Sequence, residues 1–124
     1  MKRTALRRQS DKQRQRTREL GELGAHIIVY GQINKCEVPQ CQYRATYLRL
    51  DSHHILERSR GGKDNAGNLL LCCRGCHDTF KTLSPVISDE QAFKIAHERN
   101  LKAGIPDDLT GAMLREQRHS TLTN

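Results

Sequence analysis

Histidine side chains are concentrated in one part of this 124-residue chain. His53 and His54 are adjacent, and His77 follows inside a Cys-x-x-Cys-His box. Asn68 lies between these two groups. Imidazoles can bind a divalent ion or accept a proton from water. Hydrolysis of a phosphodiester needs an activated water and a cation that stabilises the charge on the phosphate. The stretch therefore carries the groups that such a hydrolysis requires.

The two adjacent histidines indicate a division of roles. Neighbouring residues on a strand point to opposite faces, but at a strand end one imidazole can face a metal ion while the other faces the incoming water. A further ligand must then come from a facing element, and His77 lies at the start of the next predicted helix. Asp51 lies on the same strand face as His53. It is expected either to orient that ring or to be an ordinary surface carboxylate.

Four of the five cysteines form two short pairs, Cys36-x4-Cys41 and Cys73-x2-Cys76. Zinc takes four soft ligands in a tetrahedron, and each such pair supplies two thiolates. An apolar fraction of 35% and an aromatic content of 4% give a thin core, for which a structural metal is a common remedy. The spacing therefore predicts one structural Zn²⁺, with ordinary buried thiols as the weaker alternative. Cys72 is predicted to be a core residue, with a place among the zinc ligands instead of Cys73 as the alternative.

The elements that must position these groups alternate along the chain. A strand is predicted over residues 45–55, followed by a Gly-rich, charged loop over 57–67, a short apolar strand over 69–72 and a helix over 74–82. Strand, loop, strand and helix make a ββα unit. The fold class is therefore predicted to be α+β.

Two capping boxes predict helices on either side of this unit. Ser10 and Gln13 open a helix that runs to about Tyr30, although Gly21 and Gly24 favour an interruption. Further along the chain, a box formed by residues 88 and 91 opens a helix that reaches about residue 102. Residues 107–124 are polar and are predicted to be loose.

Over residues 36–81 the chain resembles the HNH endonuclease family, also called the His-Me or ββα-metal nucleases. The segments HHILERSRGG, NLLLC and CRGCH carry the resemblance. It implies a small ββα-metal, treble-clef-like core that is stapled by zinc and flanked by N- and C-terminal helices. It also implies a metal-dependent enzyme that hydrolyses DNA phosphodiester bonds, either by nicking one strand or by cutting both.

The resemblance also assigns a role to each polar residue of the motif. In the family, the first position of the dipeptide binds the catalytic ion and the second is the general base, which makes His53 a ligand and His54 the base. Asn68 would brace the loop and hold the orientation of the base. His77 would be the second ligand of the catalytic ion.

One departure from the family pattern affects the expected ion. Some members, the colicin type among them, have a third histidine ligand where this chain has Lys81. With two protein ligands, the expected catalytic ion is Mg²⁺ or Mn²⁺, since these ions retain several waters, and other divalent ions stay open.

The net charge of +7 comes from the N-terminal end of the chain. Residues 1–18 hold eight basic groups and one acidic group, whereas the rest of the chain holds 13 of each. A basic arm of this kind is typical of a DNA-binding protein, with a solvated tail or a localisation address as the alternative. The predicted nucleic-acid contacts are Arg14, Arg16 and Arg18 in the arm and Arg58, Arg60 and Lys63 in the loop.

The predicted organisation has three parts, a basic arm (1–18), a nuclease domain (19–104) and a polar tail (105–124). No apolar run is long enough to span a bilayer, and the arm lacks the apolar segment of a secretory signal. We therefore expect a cytoplasmic protein, in a bacterial host cell if it is phage-encoded. Its expected partners are DNA and other DNA-processing proteins, and no membrane.

Two other functions fit part of the sequence. A non-catalytic, zinc-stapled nucleic-acid-binding module would explain the cysteines and the basic arm, but it needs none of the histidines or Asn68. A zinc-dependent protein-interaction domain leaves both the arm and the histidines unexplained. The nuclease is therefore the preferred prediction.

Overall fold

A computed structural model describes residues 10–44 and 49–123 of the chain, with side chains described as far as residue 119. Part of the predicted arm (1–9) and part of the predicted first strand (45–48) lie outside the described residues. The elements, in chain order, are α1 (Asp11–Tyr30), β1 (Asp51–His54), β2 (Leu69–Cys72), α2 (Arg74–Thr79), α3 (Asp89–Ala103) and α4 (Gly111–Thr123).

Helix α1 begins at the predicted capping box. The Ser10 hydroxyl accepts a hydrogen bond from the Gln13 amide, and the Gln13 side chain accepts one from the Ser10 amide, at 3.1 and 3.2 Å. The helix is continuous through both glycines, so the predicted interruption is wrong. A Cβ at Gly24 would lie 2.6 Å from the Ser52 hydroxyl oxygen, and the glycine therefore lets α1 pack closely against β1. Close packing at this contact compensates for the low helix propensity of glycine, which costs about 1 kcal/mol relative to alanine.

Strands β1 and β2 form a two-stranded antiparallel sheet. His53 lies opposite Leu70 and His54 lies opposite Leu69. All four residues of β2 are buried, because the strand is covered by both α1 and α3. β1 is half-buried, which leaves its histidines accessible from one side. The described part of the first strand begins at Asp51, later than the sequence predicted.

The loop between the strands is held in a fixed shape by two short 3-10 turns, Arg58–Arg60 and Ala66–Asn68. Gly61 has a φ of 94°, a conformation that favours glycine. A Cβ at Gly62 would overlap the Leu56 carbonyl oxygen. The two consecutive glycines are therefore required by the path of the loop. Helix α2 follows β2 and ends at Thr79, three residues before the predicted end.

Helix α3 begins at the second predicted capping box and ends at Gly104, which has a φ of 71°. Arg99 of this helix forms a buried ion pair with Glu37 at 2.6 Å, with side chains only 7% and 8% exposed. The Arg99 guanidinium also donates to the carbonyl oxygens of Leu69 and Ala66, at 3.0 and 2.8 Å. The Leu71 amide donates to Glu37 at 2.8 Å. This pair therefore fastens α3 and β2 to the segment that follows α1.

The C-terminal segment is helical, so the prediction that residues 107–124 are loose is wrong. Helix α4 packs against α1, and Arg118 contacts Glu22 at 2.5 Å. Ile105 and Leu109, which precede the helix, are buried. The helix was not predicted because polar residues of α4 pair with α1, and such contacts between distant residues are not visible in the sequence.

The fold is α+β, with a small sheet that is preceded and followed in the chain by helices, as the sequence predicted. The predicted boundary between residues 18 and 19 falls inside α1, and the division into domains stays a prediction. Among the described residues, no helix combines the length and the apolar character needed to cross a bilayer.

Candidate active site and metal centre

The four predicted zinc ligands converge in space. The Sγ atoms of Cys36, Cys41, Cys73 and Cys76 all lie within 4.8 Å of one another. The Cys41 and Cys73 sulfurs are 3.8 Å apart. This separation matches the edge of a tetrahedron with metal–sulfur bonds of about 2.3 Å, which is about 3.8 Å. The four cysteines are therefore placed to bind a metal ion.

Backbone amides support these sulfurs. The amides of Tyr43, Cys73 and Cys76 donate to the sulfurs of Cys41, Cys36 and Cys73, at 3.4–3.5 Å. The hydrogen bond from Tyr43 lowers the pKa of Cys41, which favours the thiolate that a metal requires. Such bonds also fix where the sulfurs point. Backbone amides from both cysteine-containing segments thus hold the sulfurs in position.

Cys72 is not part of this cluster. Its side chain is fully buried in the core, as the sequence predicted. Burial raises the pKa of its thiol, so Cys72 stays protonated. The fifth cysteine is therefore a core residue and does not compete with Cys73.

His53 and His77 face each other across the junction of β1 and α2. Their ring centroids are 5.2 Å apart in an edge-to-face arrangement. Phe80 stacks on His53, with centroids 4.1 Å apart and planes 14° from parallel, which fixes the orientation of that ring. Burial, with a smaller contribution from His77, lowers the pKa of His53 to about 4. The ring is therefore neutral at neutral pH, as a metal ligand must be.

Asp51 pairs with His77 and not with His53. Its Oδ2 lies 2.8 Å from His77 Nδ1, and Arg74 Nε lies 3.2 Å from the same oxygen. A carboxylate only accepts hydrogen bonds, so Nδ1 of His77 donates to Asp51, and in a neutral ring the lone pair is then on Nε2. The prediction that Asp51 orients His53 is therefore wrong, because the pairing depends on how β1 meets α2.

His54 is held by a residue that the sequence did not single out. Its Nε2 lies 2.7 Å from Oδ1 of Asp64. Asp64 lies in the loop that returns to β2, ten residues further along the chain. Asp64 is one of two carboxylates in this basic loop, together with Glu57, and the sequence does not indicate which of them contacts His54.

Three cationic or polar side chains converge on Asp64. Besides His54, Arg58 contacts both carboxylate oxygens at 2.9 and 2.8 Å, and Arg16 of α1 contacts one of them at 3.0 Å. Burial raises the pKa of Asp64, but the hydrogen bonds from Arg58, His54 and Arg16 outweigh it and lower the pKa to about 2. Asp64 is therefore ionised at neutral pH. Two of the residues predicted to contact nucleic acid are thus engaged with this carboxylate.

Asn68 braces the loop. It is buried, and its side-chain oxygen accepts from the Leu56 amide at 2.8 Å. Its side-chain nitrogen donates to the carbonyls of Leu56 and Lys63, at 3.0 and 2.9 Å. Asn68 therefore joins the chain just after His54 to the chain just before Asp64, and it acts on His54 through the loop rather than by direct contact.

The other predicted nucleic-acid contacts lie outside the cluster around Asp64. Arg60 and Lys63 are exposed on the loop, and Arg14 and Arg18 are exposed on α1. Arg16 and Arg58 bring α1 and the loop to the same side of the molecule. Arg16 of α1 therefore lies next to Asp64, the carboxylate that contacts His54.

These residues form two separate centres, and α2 contributes a residue to each of them, Cys76 and His77. One is a cluster of four sulfurs suited to a soft metal ion. The other contains two facing imidazoles, His53 and His77, and a third imidazole, His54, with a carboxylate behind it. The second arrangement can hold a divalent ion next to a proton acceptor.

Comparison with known proteins agrees with this geometry. Residues 36–81 match the family model described as HNH endonuclease. No curated protein and no solved structure matches the chain. The match includes both cysteine pairs, all three histidines of the site, Asp64 and Asn68. The chain is therefore similar to the HNH endonucleases over residues 36–81.

Proposed function

We propose that this protein is a metal-dependent endonuclease that hydrolyses DNA phosphodiester bonds. The observation that carries the proposal is the placement of three imidazoles. His53 and His77 face each other, and the neighbouring His54 is held from behind by a carboxylate. A nucleic-acid-binding module needs no such arrangement.

In this proposal His54 accepts the proton of the attacking water. His53 and His77 hold the catalytic divalent ion, which would stabilise negative charge on the scissile phosphate and on the leaving oxygen. The low pKa of His53 and the Asp51 contact of His77 both leave a lone pair for such an ion. With His53 and His77 as the two proposed protein ligands, Mg²⁺ or Mn²⁺ fits the site best, since these ions retain several waters.

Zn²⁺ is the proposed occupant of the cysteine cluster. Four thiolates in a closed set suit zinc and leave no open position for a substrate. The ion would hold the segment before β1 to the start of α2, and α2 carries His77. Its role would therefore be structural.

The basic groups of α1 and of the loop are proposed to bind the DNA backbone. Arg14 and Arg18 on α1 and Arg60 and Lys63 on the loop are exposed basic side chains. Such contacts position the strand without reading its sequence. We therefore propose weak sequence preference.

The test is cleavage of supercoiled plasmid by the full-length protein with a panel of divalent ions. His54→Ala should remove cleavage while DNA binding and the far-UV spectrum are retained. His119→Ala is the matched control, since this histidine is exposed on α4 and lies outside residues 36–81. Cleavage by His54→Ala at the wild-type rate would exclude His54 as the base. Failure of the wild type to cleave with any ion would favour the non-catalytic binding module.

A further inference from the structure

We propose that Asp64 is the positioning residue of the general base, and that it fixes the His54 imidazole with its proton on Nε2 so that Nδ1 is the proton acceptor. The inference rests on the proposed function, because it concerns how His54 would activate water. It assigns a role to a carboxylate outside the three imidazoles and Asn68.

The first step is the direction of the hydrogen bond. Nε2 of His54 lies 2.7 Å from Oδ1 of Asp64. An ionised carboxylate has no proton to donate, so the imidazole must donate from Nε2. In a neutral ring the other nitrogen then carries the lone pair. The base is thereby defined as one atom, Nδ1 of His54.

The second step is that Asp64 is itself held in place. Arg58 binds both of its oxygens and Arg16 binds one, and these arginines come from the loop and from α1. The Asp64 side chain is 25% exposed and the His54 side chain is 19% exposed. Donors on several sides restrict the rotation of the carboxylate. The His54 ring is therefore linked through Asp64 to Arg16 of α1.

The third step is the ionisation of Asp64. The hydrogen bonds from Arg58, His54 and Arg16 outweigh the effect of burial and keep its pKa well below the ordinary value. The carboxylate therefore stays an acceptor across the pH range in which DNA is stable. A protonated Asp64 could instead donate to Nε2 and reverse the tautomer of His54.

The same contacts are also compatible with a role in which Asp64 lowers the cleavage rate. Asp64 could occupy Arg16 and Arg58 in the place of a DNA phosphate and so restrain the enzyme. Removal of its charge would then raise activity. Under the positioning role, removal lowers activity, so the two effects are separated by a single variant.

The kinetic experiment uses the full-length, zinc-loaded protein and supercoiled plasmid at saturating Mg²⁺ or Mn²⁺. Asp64→Asn should lower the single-turnover rate at saturating enzyme by about 10- to 100-fold, the range typical for loss of an outer partner of a functional imidazole. Asp64→Ala should lower it similarly. The concentration of ion needed for half-maximal rate should change little, since His53 and His77 are untouched.

The matched control is Asp108→Asn, which removes one negative charge from an exposed position outside residues 36–81. Its rate should equal that of the wild type. An unchanged rate for Asp64→Asn would overturn the proposal, and so would a rate higher than that of the wild type.

A second measurement does not depend on cleavage. Long-range ¹H–¹⁵N spectra of the histidine side chains report which ring nitrogen carries the proton. The His54 ring of the wild type should be protonated on Nε2 at neutral pH, and Asp64→Ala should yield a mixture of tautomers. A wild-type ring protonated on Nδ1 would overturn the proposal whether or not the protein cleaves DNA. If the wild type cleaves nothing, the proposed function fails, while these spectra still decide whether Asp64 fixes the ring.

Discussion

The Asp51 carboxylate lies 2.8 Å from Nδ1 of His77 and links β1 to α2 at the point where the two strongest candidate ligands meet. Because Asp51 accepts from Nδ1, only Nε2 of His77 remains to bind an ion. His53 on the same strand is fixed by Phe80 instead. The two imidazoles are therefore oriented by different means.

We expect His53→Ala and His77→Ala to weaken binding of the catalytic ion rather than to remove the base. Their residual cleavage should increase with the concentration of Mg²⁺ or Mn²⁺. Asp51→Asn should raise the half-maximal ion concentration by about 10- to 100-fold, because it loosens His77 without removing it. Metal titrations of plasmid cleavage measure this. Identical titration curves for all the variants and the wild type would rule out the ligand assignment.

The protein should bind one zinc ion per chain through the four clustered cysteines and depend on it to fold. Extensive dialysis followed by elemental analysis should find this ion, and Cys36→Ser should lose both the zinc and the native far-UV spectrum. Cys72→Ala is the matched control, since Cys72 is buried but lies outside the cluster. Retention of zinc and fold by Cys36→Ser would contradict the assignment.

The predicted basic arm should act in two ways, because Arg16 reaches Asp64. Deletion of residues 2–9 removes four basic groups and should flatten the dependence of DNA affinity on salt. The slope should fall by about 0.9 for each phosphate that the shortened arm no longer neutralises. The saturated cleavage rate should not change.

Arg16→Ala, in contrast, should lower that saturated rate, because it removes one of the supports of Asp64. Arg18→Ala is its control, since Arg18 is exposed on the same helix. Salt titrations of binding and single-turnover kinetics separate the two effects. Equal saturated rates for Arg16→Ala and Arg18→Ala would show that Arg16 serves only in binding.

The buried pair between Arg99 and Glu37 should be important for stability. Arg99→Met should lower the free energy of unfolding by about 3–5 kcal/mol, because it leaves a charged group buried without its partner. Urea denaturation of the zinc-loaded protein measures the change. Lys102→Met on the same helix is the control, because Lys102 is exposed, and it should have little effect. A similar small effect of both substitutions would contradict this role for the pair.

Sequence reasoning succeeded where the signal was local. Ser10 and Ser88 each form a capping box with the residue three positions later, and such a box is visible in a short stretch of sequence. The paired cysteines are equally local, and their spacing sufficed to predict the cluster. The four residues of β2 were predictable because they form a continuous apolar run between a polar loop and the start of the next helix.

The features that were missed depend on pairs that are far apart in the chain. Arg16 meets Asp64 across 48 positions, and no local pattern encodes that contact. Helix α4 has few apolar residues and is stabilised by α1, including the pair between Arg118 and Glu22. Gly24 weakened the prediction of α1 because its close contact with Ser52 of β1 is also distant in the chain. The absence of a side chain at Gly24 is what allows that contact.

The bridge from Arg99 to Glu37 also limits the portability of the HNH segment. Glu37 lies inside residues 36–81, whereas Arg99 lies 18 positions beyond their end and also binds the backbone of Ala66 and Leu69. A transplanted segment that ended at residue 81 would carry a buried carboxylate without its counter-ion and carbonyl groups without their donor. The smallest segment that can be grafted onto another protein therefore extends through α3. The site residues and the helix that supports them must be transferred together.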